Sequence, residues 1–227
     1  LDPSLTRAAW RQFTQEAGLV TYFRPLIDAK PMGRGKVELS MLQWQTAIDD
    51  KESAWNDTFV HPDSAHWLFE GSGLRFPGLM VRAGVSKRVD VGAYFTRNPN
   101  ANYGFYGGQV QYNLVDDTQR NWALSTRVSA VRLFGPDDVD LTVGGWDVVA
   151  SRRFQPVSWA TISPYVGVSS YIARSHEKSA LVDLDDATGT GSQATAGVAL
   201  KLSVVRLSAE LNTARVQSRS LKIGIGI

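Results

Sequence analysis

The sequence contains no cysteine among its 227 residues. Disulfide bonds, thiolate metal sites and cysteine nucleophiles are therefore excluded. It also lacks any run of about 18 apolar residues, so it predicts no transmembrane helix. Charge of one sign is not in large excess either, since the formal net charge is +2. The basic residues are scattered along the sequence. We expect no nucleic-acid partner, since phosphate backbones are bound by a concentrated basic face.

From residue 36 onward the dominant pattern is an alternation of apolar and polar residues. Val37, Leu39 and Met41 alternate with Glu38 and Ser40, for example. A period of two is typical of β-strands with one apolar and one polar face. Ten such runs are found, and they cover residues 37–41, 79–85, 89–95, 109–114, 121–133, 139–150, 157–172, 194–202, 205–211 and 221–227.

The run 139–150 has an ambiguous phase. Leu141 and Val143 lie on one face of this predicted strand, whereas Trp146 and Val148 lie on the other. The sequence alone leaves open which of the two faces is the apolar one.

The connections between these runs alternate in length. Short connections are predicted at 86–88, 115–120, 151–156 and 203–204, and longer or more polar ones at 47–77, 97–102, 134–138, 173–191 and 213–219. An up-and-down barrel places every second connection at the same end, and outer-membrane barrels have short periplasmic turns and long outer loops. We therefore predict an all-β fold: a closed antiparallel up-and-down transmembrane barrel of about ten strands, spanning residues 36–227.

Three features favour a lipid-facing barrel over a soluble one that binds an apolar ligand. The polar faces are rich in glycine, the strands are long enough to cross a bilayer at a tilt, and aromatic residues occur near the strand ends. The aromatic set, expected to form girdles at the two interfaces, is Trp44, Phe95, Tyr103, Phe105, Trp122, Phe134, Phe154 and Trp159.

In a membrane barrel the apolar row faces lipid and the polar row lines the lumen. The predicted lipid-facing residues are Leu79, Val81, Val85, Val89, Val91, Leu124, Val128, Val166, Val168, Val198, Leu200, Leu207, Leu211, Ile223 and Ile225. The predicted lumen-lining residues are Glu38, Arg82, Asp90, Tyr94, Gln109, Gln111, Arg127, Lys201, Arg206, Glu210 and Lys222. Mixed charges in a narrow lumen are expected to pair, because an isolated buried charge is costly.

The first 35 residues form a separate segment. Asp2-Pro3-Ser4 is a typical helix start and Gly18 can end a helix, so we predict a short helix over residues 4–17. The apolar stretch 19–32 is broken by two prolines and is expected to be irregular. Three roles of the segment stay open: a plug inside the lumen, a cap over the periplasmic end, or a helix that binds a partner.

Residues 36–227 resemble the small bacterial outer-membrane β-barrel proteins as a class. The terminal Leu221-Lys222-Ile223-Gly224-Ile225-Gly226-Ile227 resembles the last strand that such proteins present to the barrel-assembly machinery, although that strand usually ends in an aromatic residue. The resemblance implies a porin-like protein of the Gram-negative outer membrane, in contact with the lipid bilayer and lipopolysaccharide. A removed signal peptide would explain a start at Leu1, as would a trimmed sequence.

A second resemblance concerns the N-terminal segment. The stretch from Tyr22-Phe23-Arg24-Pro25 through Lys30-Pro31-Met32-Gly33 is similar to the start of a group of uncharacterised proteobacterial barrel proteins. This resemblance implies no known activity.

Candidate catalytic residues are confined to the predicted outer loops. His61, His66 and His176 lie there, with Glu52, Asp57, Asp63, Glu70 and Glu177 as acidic neighbours. No Ser–His–acid spacing or nucleophile elbow is present. The spaced carboxylates of 183–189 resemble a calcium loop but lack its closing Glu, and Asp137, Asp138 and Asp140 form a second acidic group.

We therefore predict no catalytic residue, metal or cofactor. The leading hypothesis is a non-enzymatic barrel, either a narrow channel for small solutes or a structural or surface-interaction protein. The alternatives are an outer-membrane hydrolase that uses the loop histidines, acting on protein or lipid, and the soluble barrel. The oligomeric state is left open.

Overall fold

The computed structural model of the protein describes residues 1–49, 51–58, 74–97 and 103–227, with the backbone alone for 74–77. Within these ranges it contains a closed antiparallel barrel of ten strands and one short extra strand, which confirms the predicted fold class. In chain order the strands are β1 (Val37–Thr46), β2 (Leu74–Gly84), β3 (Val89–Arg97), β4 (Gly104–Asp117), β5 (Trp122–Phe134), β6 (Val139–Arg152), β7 (Phe154–Val157), β8 (Ala160–Glu177), β9 (Ala187–Leu202), β10 (Val205–Thr213) and β11 (Ser218–Gly226).

Every barrel strand pairs with its neighbours in the chain, and the first strand pairs with the last. β1 and β11 run antiparallel, with Glu38 opposite Gly226 and Thr46 opposite Ser218. The short β7 is the extra strand, because β6 pairs directly with β8 while β7 forms a small hairpin with the start of β8. Closure pairs each of the ten described barrel strands on both sides, which is the condition for a sheet surrounded by lipid, and only the short β7 is paired on one side.

The side chains of each strand alternate between the interior and the outer surface. In β1 the even positions are buried, whereas Leu39 and Met41 are 61% and 65% exposed. In the first half of β1 the interior row therefore carries Glu38 and Ser40 and the outer row carries apolar residues, whereas further along the strand Leu42 and Trp44 face inward. No described helix is long and apolar enough to cross a bilayer.

The two ends of the barrel differ. One end, called the short-turn end below, carries the turns 85–88, 118–121, 158–159 and 203–204. The opposite end, called the loop end, carries the short helix α2 (Ser53–Asn56) and the connections 178–186 and 214–217.

The loop 173–191 is shorter than the sequence predicts. β8 continues to Glu177 and β9 begins at Ala187, so only residues 178–186 remain as the connection. Near this end the outward positions of β8 are polar and exposed, as at Arg174 and His176, while small residues face inward. The apolar row that signals a strand therefore ends before the pairing of the backbone does.

The N-terminal helix α1 (Arg7–Thr21) starts and ends later than predicted. Ser4 donates its backbone N–H and its hydroxyl to the Asp2 carboxylate, which forms a turn, and the Thr6 side chain instead caps the helix by accepting from the N–H of Ala9. Gly18 does not end the helix. A Cβ at this position would lie 2.5 Å from the ring of Tyr171, so glycine allows the helix to approach the barrel wall.

Candidate functional site

The lumen of the barrel is occupied by the N-terminal segment. α1 lies inside the loop end, where it contacts α2 and the strands β6, β8 and β9. Residues 22–32 then continue through the interior towards the short-turn end, where the backbone N–H of Gly35 donates to Gly84 before β1 begins. We call residues 7–32 the plug, and most of its large side chains are buried, including Trp10, Phe13, Val20, Tyr22, Phe23 and Ile27.

The part of the lumen around α1 is apolar rather than polar. Leu42, Met80, Val131, Leu141 and Val143 point inward and belong to the same buried cluster as the apolar face of α1. This contact explains the ambiguous run 139–150. Its residues Leu141 and Val143 face the plug, whereas Trp146 is half-exposed on the outer surface.

Three of the aromatic residues expected in the interfacial girdles are instead inside the barrel. Trp44, Tyr103 and Phe105 are buried in the cluster around the plug. The physical reason is that α1 offers an apolar surface within the lumen, and inward aromatics near this end pack against it. On the outer surface the ring of Phe95 stacks on that of Phe134 at 5.4 Å between centroids. At the short-turn end Phe154 and Trp159 are exposed.

Side chains of the barrel wall bind the backbone of the plug. The Trp44 indole N–H donates to the carbonyl of Val20 at 2.9 Å, and the Tyr94 hydroxyl donates to that of Thr21 at 2.9 Å. Beyond α1 the carboxylate of Glu210 accepts the N–H of Leu26 at 2.8 Å. These bonds satisfy backbone groups that a buried irregular segment would otherwise leave unpaired.

A strong polar contact lies at the middle of the lumen. The Arg127 guanidinium donates to the carboxylate of Asp147 at 2.5 Å and to the backbone carbonyls of Phe23 and Arg24. The Tyr22 hydroxyl donates to the same Asp147 carboxylate at 2.8 Å. All of these side chains are buried, so the ion pair and the plug share one hydrogen-bonded network.

Arg24 is a site residue for which the sequence analysis predicted no role. Its buried guanidinium donates to the hydroxyls of Ser218 and Thr46 and to the carbonyls of Leu19 and Val20. A signal for it exists in the sequence, since Arg24 is the only charged residue in the otherwise uncharged stretch 17–27. A lone charge in such a stretch requires partners, which here come from the wall and from the end of α1.

A third cluster of charges lies at the short-turn end. The Glu38 carboxylate accepts a hydrogen bond from the Lys222 ammonium and lies 3.9 Å from the guanidinium of Arg82 and 3.5 Å from that of Arg206. Arg82 also pairs with Asp90 at 3.1 Å. The Asp90 carboxylate in turn accepts the backbone N–H of Met32, which ties the end of the plug to the wall.

The structure places the predicted residues as follows. Of the lumen-lining set, Glu38, Arg82, Asp90, Tyr94, Gln109, Gln111, Arg127, Glu210 and Lys222 are buried inside the barrel. Arg206 is partly exposed and Lys201 is exposed at the short-turn mouth. Of the lipid-facing set none is buried, and Val89, Leu124, Val198, Leu200 and Leu207 are only partly exposed.

The predicted catalytic candidates are only partly covered by the structure. His61 and His66, with Asp63 and Glu70, lie outside the described residues. His176 is exposed, and its Nδ1 lies 2.5 Å from a carboxylate oxygen of Asp186. Hydrogen bonds from His176 and Arg174 lower the pKa of Asp186. No group of three or more potential metal-ligating His, Asp or Glu side chains occurs in the described part of the chain.

Comparisons with known proteins match the architecture. No protein-family model and no curated protein sequence matches the chain. Among solved structures, the beta domain of the Bordetella autotransporter BrkA is 11% identical, with 86% of this chain and 100% of that chain covered and a TM-score of 0.48. LpxR from Salmonella typhimurium is 10% identical, with 83% and 99% covered and a TM-score of 0.42. The chain resembles small bacterial outer-membrane β-barrels. These likenesses concern the barrel alone.

Proposed function

We propose that the protein is an integral outer-membrane barrel, closed by its own plug, with a structural or surface-interaction role. The membrane location is supported by the outer surface of the barrel. Exposed apolar side chains occur on strands all around it, with Leu39 61%, Val128 57%, Val166 60% and Ile223 55% exposed. A soluble monomer rarely exposes an apolar surface of this extent.

The closed lumen rests on one observation, the binding of the plug backbone by Arg127. A charged side chain in the middle of the barrel contacts both the wall, at Asp147, and two carbonyls of the plug. Hydrogen bonds to a buried charge are among the stronger ones in proteins. The same residues would line a conducting path if the lumen were empty, so the arrangement favours a filled barrel over an open channel.

The proposed partners follow from the location. The outer surface would contact the lipid bilayer, lipopolysaccharide would surround the loop end, and β11 would be handled by the barrel-assembly machinery. We propose a non-enzymatic role because the interior groups are engaged with the plug. Replacing His61, His66 and His176 together by Ala should leave folding and surface display unchanged. A hydrolytic activity on lipid or peptide substrates that disappears in this variant would contradict the non-enzymatic role.

The location and the closure can be tested separately. The protein should require detergent for extraction and should migrate differently on gels before and after heating. In planar bilayers the wild-type barrel should show no steady conductance. A stable open-channel current in the wild type would instead support a narrow channel, and solubility without detergent would refute the membrane location.

A matched set of variants tests the closure more closely. Trp44→Phe and Tyr94→Phe together remove two hydrogen bonds to the plug backbone. The ring of Tyr94 is kept, and a smaller aromatic ring replaces the indole of Trp44. Each bond contributes about 0.5–1.5 kcal/mol, so the double variant should show brief openings that the wild type lacks. Tyr112→Phe, on the outer surface, is the control and should remain closed.

A further inference from the structure

A basic cavity opens at the short-turn end of the barrel. It has a volume of about 160 Å³ and lies between the end of the plug and the wall formed by β1, β2, β8, β9, β10 and β11. Ile27, Asp28, Lys30 and Met32 of the plug form part of its lining. Ile27 also belongs to the buried apolar cluster around α1, whereas neither Arg127 nor Asp147 lines the cavity.

The charges that line this cavity are strongly unbalanced. Lys222, Arg82 and Arg206 share one carboxylate, that of Glu38. Four further cations line the same cavity, namely Lys30, Lys36, Arg153 and Lys201. The carboxylates are Asp28 and Glu38 in the lining and Asp90 behind Arg82. Even with Asp90 included, cations outnumber carboxylates by seven to three.

Two nitrogen atoms of arginines that line the cavity make no hydrogen bond. The side chain of Arg82 is only 4% exposed, and its buried Nε has no hydrogen-bond acceptor. The Nε of Arg206 also has no hydrogen bond, and Glu38 lies 3.5 Å from it. Among the described residues no carboxylate forms an ion pair with the four further cations. Buried donors of this kind normally have an acceptor, so the cavity is short of one.

Lys30 of the plug lies near another cation of the cavity, Arg153. Burial and, to a smaller extent, this charge lower the pKa of Lys30, while Asp116 and Asp28 act in the opposite direction. An additional negative charge in the cavity would relieve this repulsion and supply acceptors to the unpaired arginine nitrogens.

We propose that this cavity binds a phosphate-type anion, either free or as part of a phosphorylated molecule. The surplus of positive charge calls for an anion with more than one negative charge. Three arginines and four lysines around a small volume can donate from different directions, which matches the oxygens of a tetrahedral oxyanion. A single carboxylate would neutralise only one cation and leave most donors unpaired.

The bound anion would connect the plug with the wall. Lys30 belongs to the plug, whereas Arg82, Lys201, Arg206 and Lys222 belong to four different strands. An anion between them would bridge groups that at present repel each other. This inference does not depend on the proposed closure, because binding at the short-turn end can be measured whether or not the barrel conducts.

The test is a titration of the whole protein in non-ionic detergent. Inorganic phosphate and pyrophosphate are added at constant ionic strength against a chloride control, and binding is measured by calorimetry and by the unfolding midpoint. We expect binding by the wild type and an affinity reduced about tenfold by Lys201→Gln, since one charge-assisted contact is lost. Arg206→Gln should reduce it further.

Lys87→Gln is the matched control, because Lys87 is exposed in a turn at the same end and is not part of the cavity. It should bind as the wild type does. Both cavity variants must first show the same heat-modifiable migration on gels as the wild type. We expect Lys201→Gln to fold, because Lys201 is exposed.

A second arm distinguishes the source of the phosphate group. Short-chain phosphatidic acid is titrated in the same detergent beside inorganic phosphate. Binding of phosphatidic acid alone would assign the site to a lipid headgroup, and binding of inorganic phosphate or pyrophosphate to a soluble ligand. The proposal is overturned if none of the three binds, or if the Lys201 and Arg206 variants bind as tightly as the wild type.

Discussion

Arg127 and Asp147 form a buried ion pair between adjacent strands, and the same arginine also binds the plug. Arg127 on β5 lies directly opposite Asp147 on β6 in the strand register. The carboxylate therefore fixes the guanidinium in the position from which it reaches the carbonyls of Phe23 and Arg24. The wall and the plug are thus coupled through one side chain.

Removal of one partner of this pair should be strongly destabilising. Arg127→Met leaves Asp147 without its counter-ion inside the barrel, and Asp147→Asn leaves Arg127 with an uncompensated charge. Breaking a buried pair in this way costs about 3–5 kcal/mol. The measurement is the free energy of unfolding in denaturant, with the protein in detergent.

The control for this prediction lies in the same strand. Arg132→Gln changes an exposed residue of β5 and should shift the free energy of unfolding by less than about 0.5 kcal/mol. Replacing Arg127 and Asp147 together by Met and Leu should recover part of the loss. A double variant that is less stable than the sum of the two single changes would show that the pair is not the main contact.

The packing of α1 against β9 can be tested at Gly189. A Cβ at this position would lie 2.7 Å from the Cα of Gln15, so Gly189→Val pushes the helix away from β9. Overpacking of this kind typically costs about 1–3 kcal/mol. We expect faster proteolysis of residues 7–21 and channel openings in planar bilayers. Thr188→Val, which faces outward on the same strand, should leave both unchanged.

The membrane-facing surface can be tested at Val168. This residue lies midway along β8 and is 57% exposed on the outer surface. Val168→Arg should lower the free energy of unfolding in lipid vesicles by about 2–4 kcal/mol, the cost of an arginine near the bilayer centre. Thr188→Arg, which lies at the loop end of β9, should cost about 1 kcal/mol or less. Equal stability of Val168→Arg and the wild type would contradict a bilayer around this strand.

The connection 178–186 should respond to acid at Asp186. Hydrogen bonds from His176 and Arg174 lower the pKa of this carboxyl in the folded protein. A lowered pKa stabilises the folded loop above the ordinary aspartate value, and the effect is lost as the pH falls through the folded value. The protection factors for hydrogen exchange at 178–186, which correct for the intrinsic pH dependence of the exchange rate, should therefore decrease as the pH falls between about 5 and 2. Asp186→Asn should remove this dependence, and an unchanged dependence would contradict the assignment.

The strands were predictable from local pattern wherever one face meets lipid. Val37, Leu39 and Met41 on β1, or Leu221, Ile223 and Ile225 on β11, alternate strictly because the outer row is apolar over these stretches. Towards the loop end the outer row becomes polar, at Gln43 and Arg219. Prediction was weaker where the inner row changes from polar to apolar residues. At Trp44 and Leu141 apolar side chains face inward, because α1 occupies the lumen there. The sequence of a strand does not show which other segment of the chain its inward side chains will contact.

The sequence by itself determined the two faces of each strand through the period of two, and together with the alternating lengths of the connections and the glycine-rich polar rows it predicted a lipid-facing barrel of about ten strands. Only the tertiary structure decided that α1 and residues 22–32 fill the lumen, that Arg127 binds the backbone of Phe23 and Arg24, and that Lys30 meets Lys201 and Arg206 in one cavity. These contacts join residues far apart in the chain. Their formation depends on the diameter and closure of the barrel, which no local pattern encodes.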